Sequence, residues 1–307
     1  MQISTNLMFD RAIAQMGVTQ DRLAKTQMQL TTTKEILKPS DAPDKSAAIT
    51  RLNSVIGRQE SYVESIRTTM DKFSQQETAL KNSSDVLVRL KELTVQAAND
   101  TNGQEGRKLI AVEVKGLRDQ LLSMANTQDV NGNYIFSGTR ANTAAFGTDS
   151  SGKLIYQGDQ TINQVGVGEQ RDVSANRSGT QAFARVIRTA DDGSQSGVGF
   201  FQVIDDLASA LTNNDAKSIQ RAVGELNLAQ NGMTESIAAV GSGMNVLEAQ
   251  TGVGEENLLR MKSTLSQMQD VDYTEAITRM NKDMLALQAA QSSFAKISQL
   301  NLFDYIK

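Results

Sequence analysis

The stretch ITRLNSVIGRQESYVESIRTTMDKFSQQETALKNSSDVL, residues 49–87, decides the architecture. Its Ile49, Leu52, Ile56, Val63, Ile66, Met70, Phe73, Leu80 and Leu87 fall at alternating steps of three and four, with polar residues on the stripe only at Gln59, Glu77 and Ser84. Side chains at that spacing share one face of an α-helix, so the pattern reads as a single amphipathic helix. Its limits are Asp44 and about Asn99, because Pro39 and Pro43, the only two prolines, break the chain before it and Thr101-Asn102-Gly103 ends it. At 1.5 Å per residue such a helix runs ~80 Å if straight, which indicates a rod.

The same signal returns on the C-terminal side. Ile219, Val223, Leu226, Met233, Ile237, Val240, Met244, Leu247, Leu258, Met261, Leu265 and Met268 keep the three–four spacing, with Gln230, Thr251 and Gly254 completing the stripe. Gly241, Gly243, Gly252 and Gly254 interrupt it, each costing ~1 kcal/mol relative to alanine, so one long helix and two stacked pieces are both open. Shorter stripes follow each end of the central region: Ile110, Val114, Leu117, Leu121 and Met124, then Phe200, Phe201, Val203, Ile204 and Leu207.

Between residues 132 and 199 glycine is dense and the period changes. Tyr134-Ile135-Phe136 after Asn131-Gly132, Lys153–Gln157 after a Gly-containing turn, and Ile162, Val165 and Val167 read as short strands of hairpins. The expected fold class is therefore mainly α: a long antiparallel coiled-coil or helical rod built from both termini, with a small β-rich central domain.

Both extremities are amphipathic. Phe9, Met16, Leu23, Leu30 and Leu37 recur every seven residues, and Ala12, Thr19, Thr26 and Thr33 stand three positions after the first four. This is a heptad with one large and one small position, a thin seam. Asp272 followed by Glu275 marks a helix start of the capping-box kind. From there Ile277, Met280, Met284, Leu287, Gln291 and Phe294 carry a stripe, and Leu300, Leu302, Phe303, Tyr305 and Ile306 load the end with apolar groups. Two readings stay open: the ends fold back on their own rod, or they pack against neighbouring subunits. Threonine at alternate core positions gains little from one partner helix and favours the second.

The composition of the 307 residues excludes much chemistry. There is no cysteine, histidine or tryptophan, which removes disulfides, thiolate and triad nucleophiles and the usual zinc ligands. Lys+Arg 31 against Asp+Glu 35 gives a net charge of −4, a poor balance for nucleic acid. With 39% hydrophobic and 5% aromatic residues, aliphatic seams are expected rather than one large core. No apolar run reaches a membrane span, and Met1–Asp10 lacks the basic and apolar regions of a cleaved signal.

Individual motifs fare no better as sites. Asp129-x-Asn131-x-Asn133 begins like a calcium loop but has Tyr134 in place of the needed glycine and Arg140 in place of the closing glutamate, so a turn is expected. Gly166-Val-Gly168 lacks the rest of a dinucleotide fingerprint. Asp191-Asp192 and Asp205-Asp206 read as solvated acids. No catalytic residue, cofactor or metal is expected, and no enzyme.

Four segments resemble the bacterial flagellin family: Met1-Gln-Ile-Ser-Thr5, Lys38-Pro-Ser-Asp-Ala-Pro43, Asn131-Gly-Asn-Tyr-Ile-Phe-Ser-Gly-Thr139, and the end from Asp270-Val-Asp-Tyr-Thr-Glu-Ala276 through Ala289–Ile297 to Leu302-Phe-Asp-Tyr-Ile306. The first is closer to the family's hook–filament junction members than to the filament subunit. The resemblance implies three parts: a terminal coiled-coil assembly domain (1–43 with 272–307), a helical rod domain (44–131 with 200–271) and a β-rich outer domain (132–199). It implies a homo-oligomeric ring joining the hook, through hook-associated protein 1, to the flagellin filament, in an extracellular flagellum. It also implies secretion by the type III export apparatus without signal cleavage, the filament subunit flagellin itself being the alternative. On this reading Phe9, Met16, Leu23, Leu30, Ile277, Met280, Met284, Leu287, Phe294, Leu300, Leu302 and Phe303 form the assembly interface. Ile277, Met280, Met284, Leu287 and Phe294 would first meet a cytoplasmic export chaperone. No nucleic acid and no membrane insertion are implied.

Overall fold

The structure, a computed structural model, describes residues 2–99, 102–150, 152–190 and 193–303; the side chains of 2–6 and 297–303 lie outside the description. Its helices are α1 (Gln2–Thr32), α2 (Pro43–Ala98), α3 (Gln104–Ala125), α4 (Gly179–Ala182), α5 (Phe200–Thr212), α6 (Ala216–Gln269) and α7 (Tyr273–Phe303), with a 3₁₀ turn at Pro39–Asp41. Six short strands form three separate antiparallel hairpins: β1 (Phe146–Thr148) with β2 (Leu154–Tyr156), β3 (Gln164–Gly168) with β4 (Arg171–Ser174), and β5 (Val186–Thr189) with β6 (Gln195–Val198). The mainly α fold class with a small set of central strands is thus the observed one.

The chain divides into two compact units, Met1–Arg58 with Asn257–Lys307, and Gln59–Glu256. In the second, the α2 stripe from Gln59 to Leu87 is buried or half-buried at every expected position. The three polar interruptions lie on the stripe too, and Ser84 accepts a hydrogen bond from Gln230 Nε2 at 2.7 Å. α6 is one uninterrupted helix, which settles the question its glycines posed. Two of them are there for proximity: a Cβ on Gly243 would lie 2.7 Å from Phe73 Cε2, and one on Gly254 would lie 2.9 Å from Val63 Cγ2. Glycine lets α2 and α6 approach more closely than any side chain would permit.

The expectation of aliphatic seams alone fails in this unit. Five of the nine phenylalanines form one knot where hairpins meet helices: Phe183 packs on Phe136, Phe146, Phe200 and Phe201 with ring centroids 5.3–5.9 Å apart, and Phe146 meets Phe201 at 5.0 Å. Edge-to-face aromatic packing adds to burial here. Tyr134-Ile135-Phe136 is a turn rather than a strand, keeping one bridge between Gln128 and Tyr134. The cause lies just upstream, where Asp129 Oδ1 accepts the backbone N–H groups of Asn131 and Asn133 at 2.8 and 2.9 Å. The carboxylate supplies the turn its partners, and beyond it the backbone divides between two stretches, Ile135 N–H donating to the Thr127 carbonyl at 3.1 Å and Tyr134 N–H to that of Ala141 at 2.8 Å, so no single strand continues.

Arg107 is 5% exposed; it donates Nε–H to the Ala97 carbonyl at 3.0 Å and a further N–H to Asn214 Oδ1 at 2.6 Å, tying the end of α2 and the α5–α6 connection to α3. Arg188 forks onto Glu225, only 4% exposed, at 2.6 and 2.8 Å and reaches Asp206 at 2.7 Å. Asp205 is held by Arg118 at 3.0 Å. The Asp205-Asp206 pair is therefore structural ion pairing, not a solvated face, while Asp191-Asp192 lies outside the described residues.

Candidate assembly surface

In the first unit α1 and α7 run antiparallel. At their joined ends, Val271 N–H donates to the Thr33 carbonyl at 3.0 Å and Glu35 N–H donates to the Gln269 carbonyl at 2.8 Å, so that Lys34 and Asp270 face each other as an isolated antiparallel backbone β-bridge. The Asp272 carboxylate caps α7, accepting the N–H groups of Thr274 and Glu275 at 2.8 and 3.2 Å, as its spacing predicts. Lys25 Nζ lies 2.8 Å from Asp41 in the turn before α2 and holds that carboxyl below its ordinary pKa. Gln29, 7% exposed, donates to the Glu35 carbonyl at 2.6 Å.

Along the α1 seam Phe9, Ala12, Met16, Thr19, Leu23 and Leu30 are half-buried and Thr26 is buried. Thr19 and Thr26 return their hydroxyls to the carbonyls of Gln15 and Arg22, both at 3.0 Å, so these positions cost no unpaired donor. Near the other end Phe9 meets Phe294 edge-on, centroids 5.4 Å apart. A groove of about 270 Å³ lined by Met8, Phe9, Ala12, Met16, Ala290 and Phe294 lies beside that contact and is almost wholly apolar.

The α7 side differs from the expected stripe. Ala276, Met280, Asp283, Leu287, Ala290 and Phe294 turn inward, whereas Ile277 and Met284 are 44% and 42% exposed. The seam takes the small alanines because they let α7 approach α1, and a stripe traced through large residues alone misses that. Of the interface residues expected from sequence, Phe9, Met16, Leu23, Leu30, Met280, Leu287 and Phe294 line the seam, Ile277 and Met284 face away from it, and the side chains of Leu300, Leu302 and Phe303 lie outside the described residues. Leu7, Met8, Ile13, Val18 and Met28 on α1 and Leu285 on α7 are 45–67% exposed as well. These two helices thus carry apolar side chains on more than the face they share.

No group of three or more metal-binding side chains occurs among the described residues, and no described helix is long and apolar enough to cross a membrane.

Two family models match the chain: the bacterial flagellin N-terminal helical region over residues 3–141 and the bacterial flagellin C-terminal helical region over residues 222–306. Flagellar hook-associated protein 3 of Escherichia coli is 28% identical over the full length of both chains, and that of Salmonella typhimurium 26% identical over 99% of each. Flagellin of Listeria innocua is 23% identical over 98% of this chain and 96% of its own. Among solved structures, the flagellar hook-associated protein 3 of Legionella pneumophila is similar with a TM-score of 0.66 at 18% identity, covering 72% of this chain and 98% of that one. FlgL of Xanthomonas campestris is similar with a TM-score of 0.64 at 21% identity, covering 70% and 99%. These structural matches agree in fold with a helical protein carrying short central strands. With one model matching the N-terminal helices, the other the C-terminal helices, and full-length relatives in between, this chain belongs to the bacterial flagellin family of flagellar structural proteins.

Proposed function

We propose that the chain is the subunit of a homo-oligomeric ring at the hook–filament junction, meeting hook-associated protein 1 on one side and flagellin on the other. The carrying observation is the set of large apolar side chains, Leu7, Met8, Ile13, Val18, Ile277, Met284 and Leu285, that α1 and α7 leave exposed. In this reading residues 1–43 with 272–307 are the assembly domain, 44–131 with 200–271 the torque-bearing helical part and 132–199 the outer part. The seam side chains hold α1 to α7, and the exposed set, with Leu300, Leu302 and Phe303, meets neighbouring subunits.

Secretion by the type III export apparatus without signal cleavage fits the same surface. A cytoplasmic chaperone that takes Ile277, Met280, Met284, Leu287 and Phe294 together must displace α1, since Met280, Leu287 and Phe294 face the seam. A helix in an apolar groove is the matching recognition mode. Co-purification of the chaperone with the chain carrying Met280→Asp, against the wild type, tests this contact.

Removal of residues 1–33 or 276–307 tests the main reading. Electron microscopy of a deletion strain complemented with either truncation should find hooks without filaments, while circular dichroism of the purified truncations keeps the helical signal of residues 59–256. Normal filaments on either truncation would overturn it. Similarity to Listeria flagellin over nearly the whole chain favours one alternative, the filament subunit itself. A major band in sheared filaments would establish that reading, and a trace component the junction.

A further inference from the structure

Arg177 follows β4 and faces a groove of about 300 Å³ between the β3–β4 hairpin region and α6. Its Nε–H is buried without a hydrogen-bond partner, and among the described residues no carboxylate pairs with the guanidinium. Burial alone lowers its pKa from the ordinary arginine value, with no acidic neighbour acting in the other direction. Arg118 and Arg188, partly buried arginines that do have acids beside them, are each held by carboxylates and shifted upward. A buried guanidinium N–H left single is costly, because a buried donor normally finds an acceptor.

The walls supply more donors and no competing acid. Gln181 Oε1 accepts the Ser178 N–H at 3.4 Å, and its amide N–H₂ has no partner among the described residues. Ser242 lines the groove with its hydroxyl unengaged among the described residues, and Ser174 accepts from Gln164 at 3.5 Å and so keeps its own proton to give. Phe73 and Val246 form the apolar side. An arginine fork with amide and hydroxyl donors, open to solvent and edged by hydrocarbon, matches a carboxylate on a short apolar stem. We propose that this groove binds such a carboxylate, contributed by an aspartate or glutamate side chain of a neighbouring protein or by a small free carboxylate. The proposal is independent of where in the flagellum the chain sits.

The test uses the full chain and the ¹⁵N–¹H resonance of Arg177 Nε, assigned by its disappearance in Arg177→Lys. Titration with sodium propionate and, separately, with N-acetylglutamate α-amide should move that resonance saturably, with half-saturation in the millimolar range. Sodium chloride at equal ionic strength should not move it, and Ser242→Ala should weaken the carboxylate response several-fold without altering the melting temperature. Tighter binding of the blocked glutamate assigns the site to a protein side chain, and equal or tighter binding of propionate assigns it to a free carboxylate. No saturable shift with either probe, or the same shift with chloride, overturns the proposal and leaves water as the partner of Nε.

Discussion

Alanine at each of the glycines of α6 separates packing from propensity. In a helix interior Gly→Ala is worth about 0.5–1 kcal/mol of added stability. At Gly252 a Cβ meets nothing within 4 Å, so that gain should appear in full. At Gly243 the new methyl would sit 2.7 Å from Phe73 Cε2 and within 3.5 Å of two further ring carbons, about 1 Å inside ordinary carbon–carbon contact. Phe73 is only 6% exposed and its ring must shift to admit the methyl, and overpacking of this kind costs about 1–3 kcal/mol. Gly243→Ala should therefore be neutral to destabilising by about 2 kcal/mol where Gly252→Ala stabilises. The pair should differ by about 1–3 kcal/mol, each kcal/mol being about 2–4 °C in melting temperature for a unit of this size. Thermal and urea unfolding followed by circular dichroism measures the difference. Phe73→Leu should relieve the clash, so the double variant Phe73→Leu/Gly243→Ala should lose less than the sum of its parts. If Gly243→Ala raised the midpoint as much as Gly252→Ala, the close-approach argument would be wrong.

Three further outcomes follow from named contacts. Glu225→Ala leaves the partly buried Arg188 with Asp206 alone; the loss should approach the ~3 kcal/mol lower end for a broken buried pair, and Arg188→Met/Glu225→Leu should lose less, with a loss below about 1 kcal/mol for Glu225→Ala in urea unfolding counting against it. The Thr139 hydroxyl and N–H and the Thr161 N–H hold the Asp159 carboxyl down to about 2, so its folded pKa lies below the unfolded one; its contribution is complete above about pH 4 and disappears as pH falls toward 2, which a carboxyl ¹³C titration and acid unfolding of Asp159→Asn against wild type should reveal together. Leu285→Asp, at a position 67% exposed, should change the lone chain's stability by no more than about 1 kcal/mol yet reduce filament attachment, whereas Leu287→Asp, half-buried on the seam, should damage both; equal attachment by Leu285→Asp and wild-type strains would remove that face from the interface.

What the sequence made legible was whatever a local period records. The α2 and α6 stripes were traceable residue by residue because each long helix keeps one continuous face against its neighbours, and the Asp272 cap was visible because its three-residue spacing is itself the mechanism. The aromatic knot was not legible: Phe136, Phe146, Phe183 and the Phe200-Phe201 pair come from segments whose meeting depends on hairpin placement, which no local spacing encodes. Arg188–Glu225 and the lone Arg177 were invisible for the same reason, since a charge reads as solvated until its partner, or the lack of one, is placed beside it. The α6 glycines left one helix and two pieces both open in the sequence, because propensity counts what glycine costs a helix alone and not what Gly243 and Gly254 permit between two.

The α7 register carries the argument to the candidate site. Tracing only large residues put Ile277 and Met284 on the seam, but the helix turns Ala276, Asp283 and Ala290 toward α1. The seam therefore has small side chains between Met280, Leu287 and Phe294, and among the described residues none of its large members is fully buried. In residues 59–256, by contrast, Leu80, Leu87, Leu211 and Leu226 are all at 0% exposure. Hydrophobic stabilisation scales with the area removed from water, so the terminal pair gains less per large residue than the second unit does. A helix pair in that position has surface left to bury, and the residues best placed to do so are those that an ordinary amphipathic reading would have assigned to the inside.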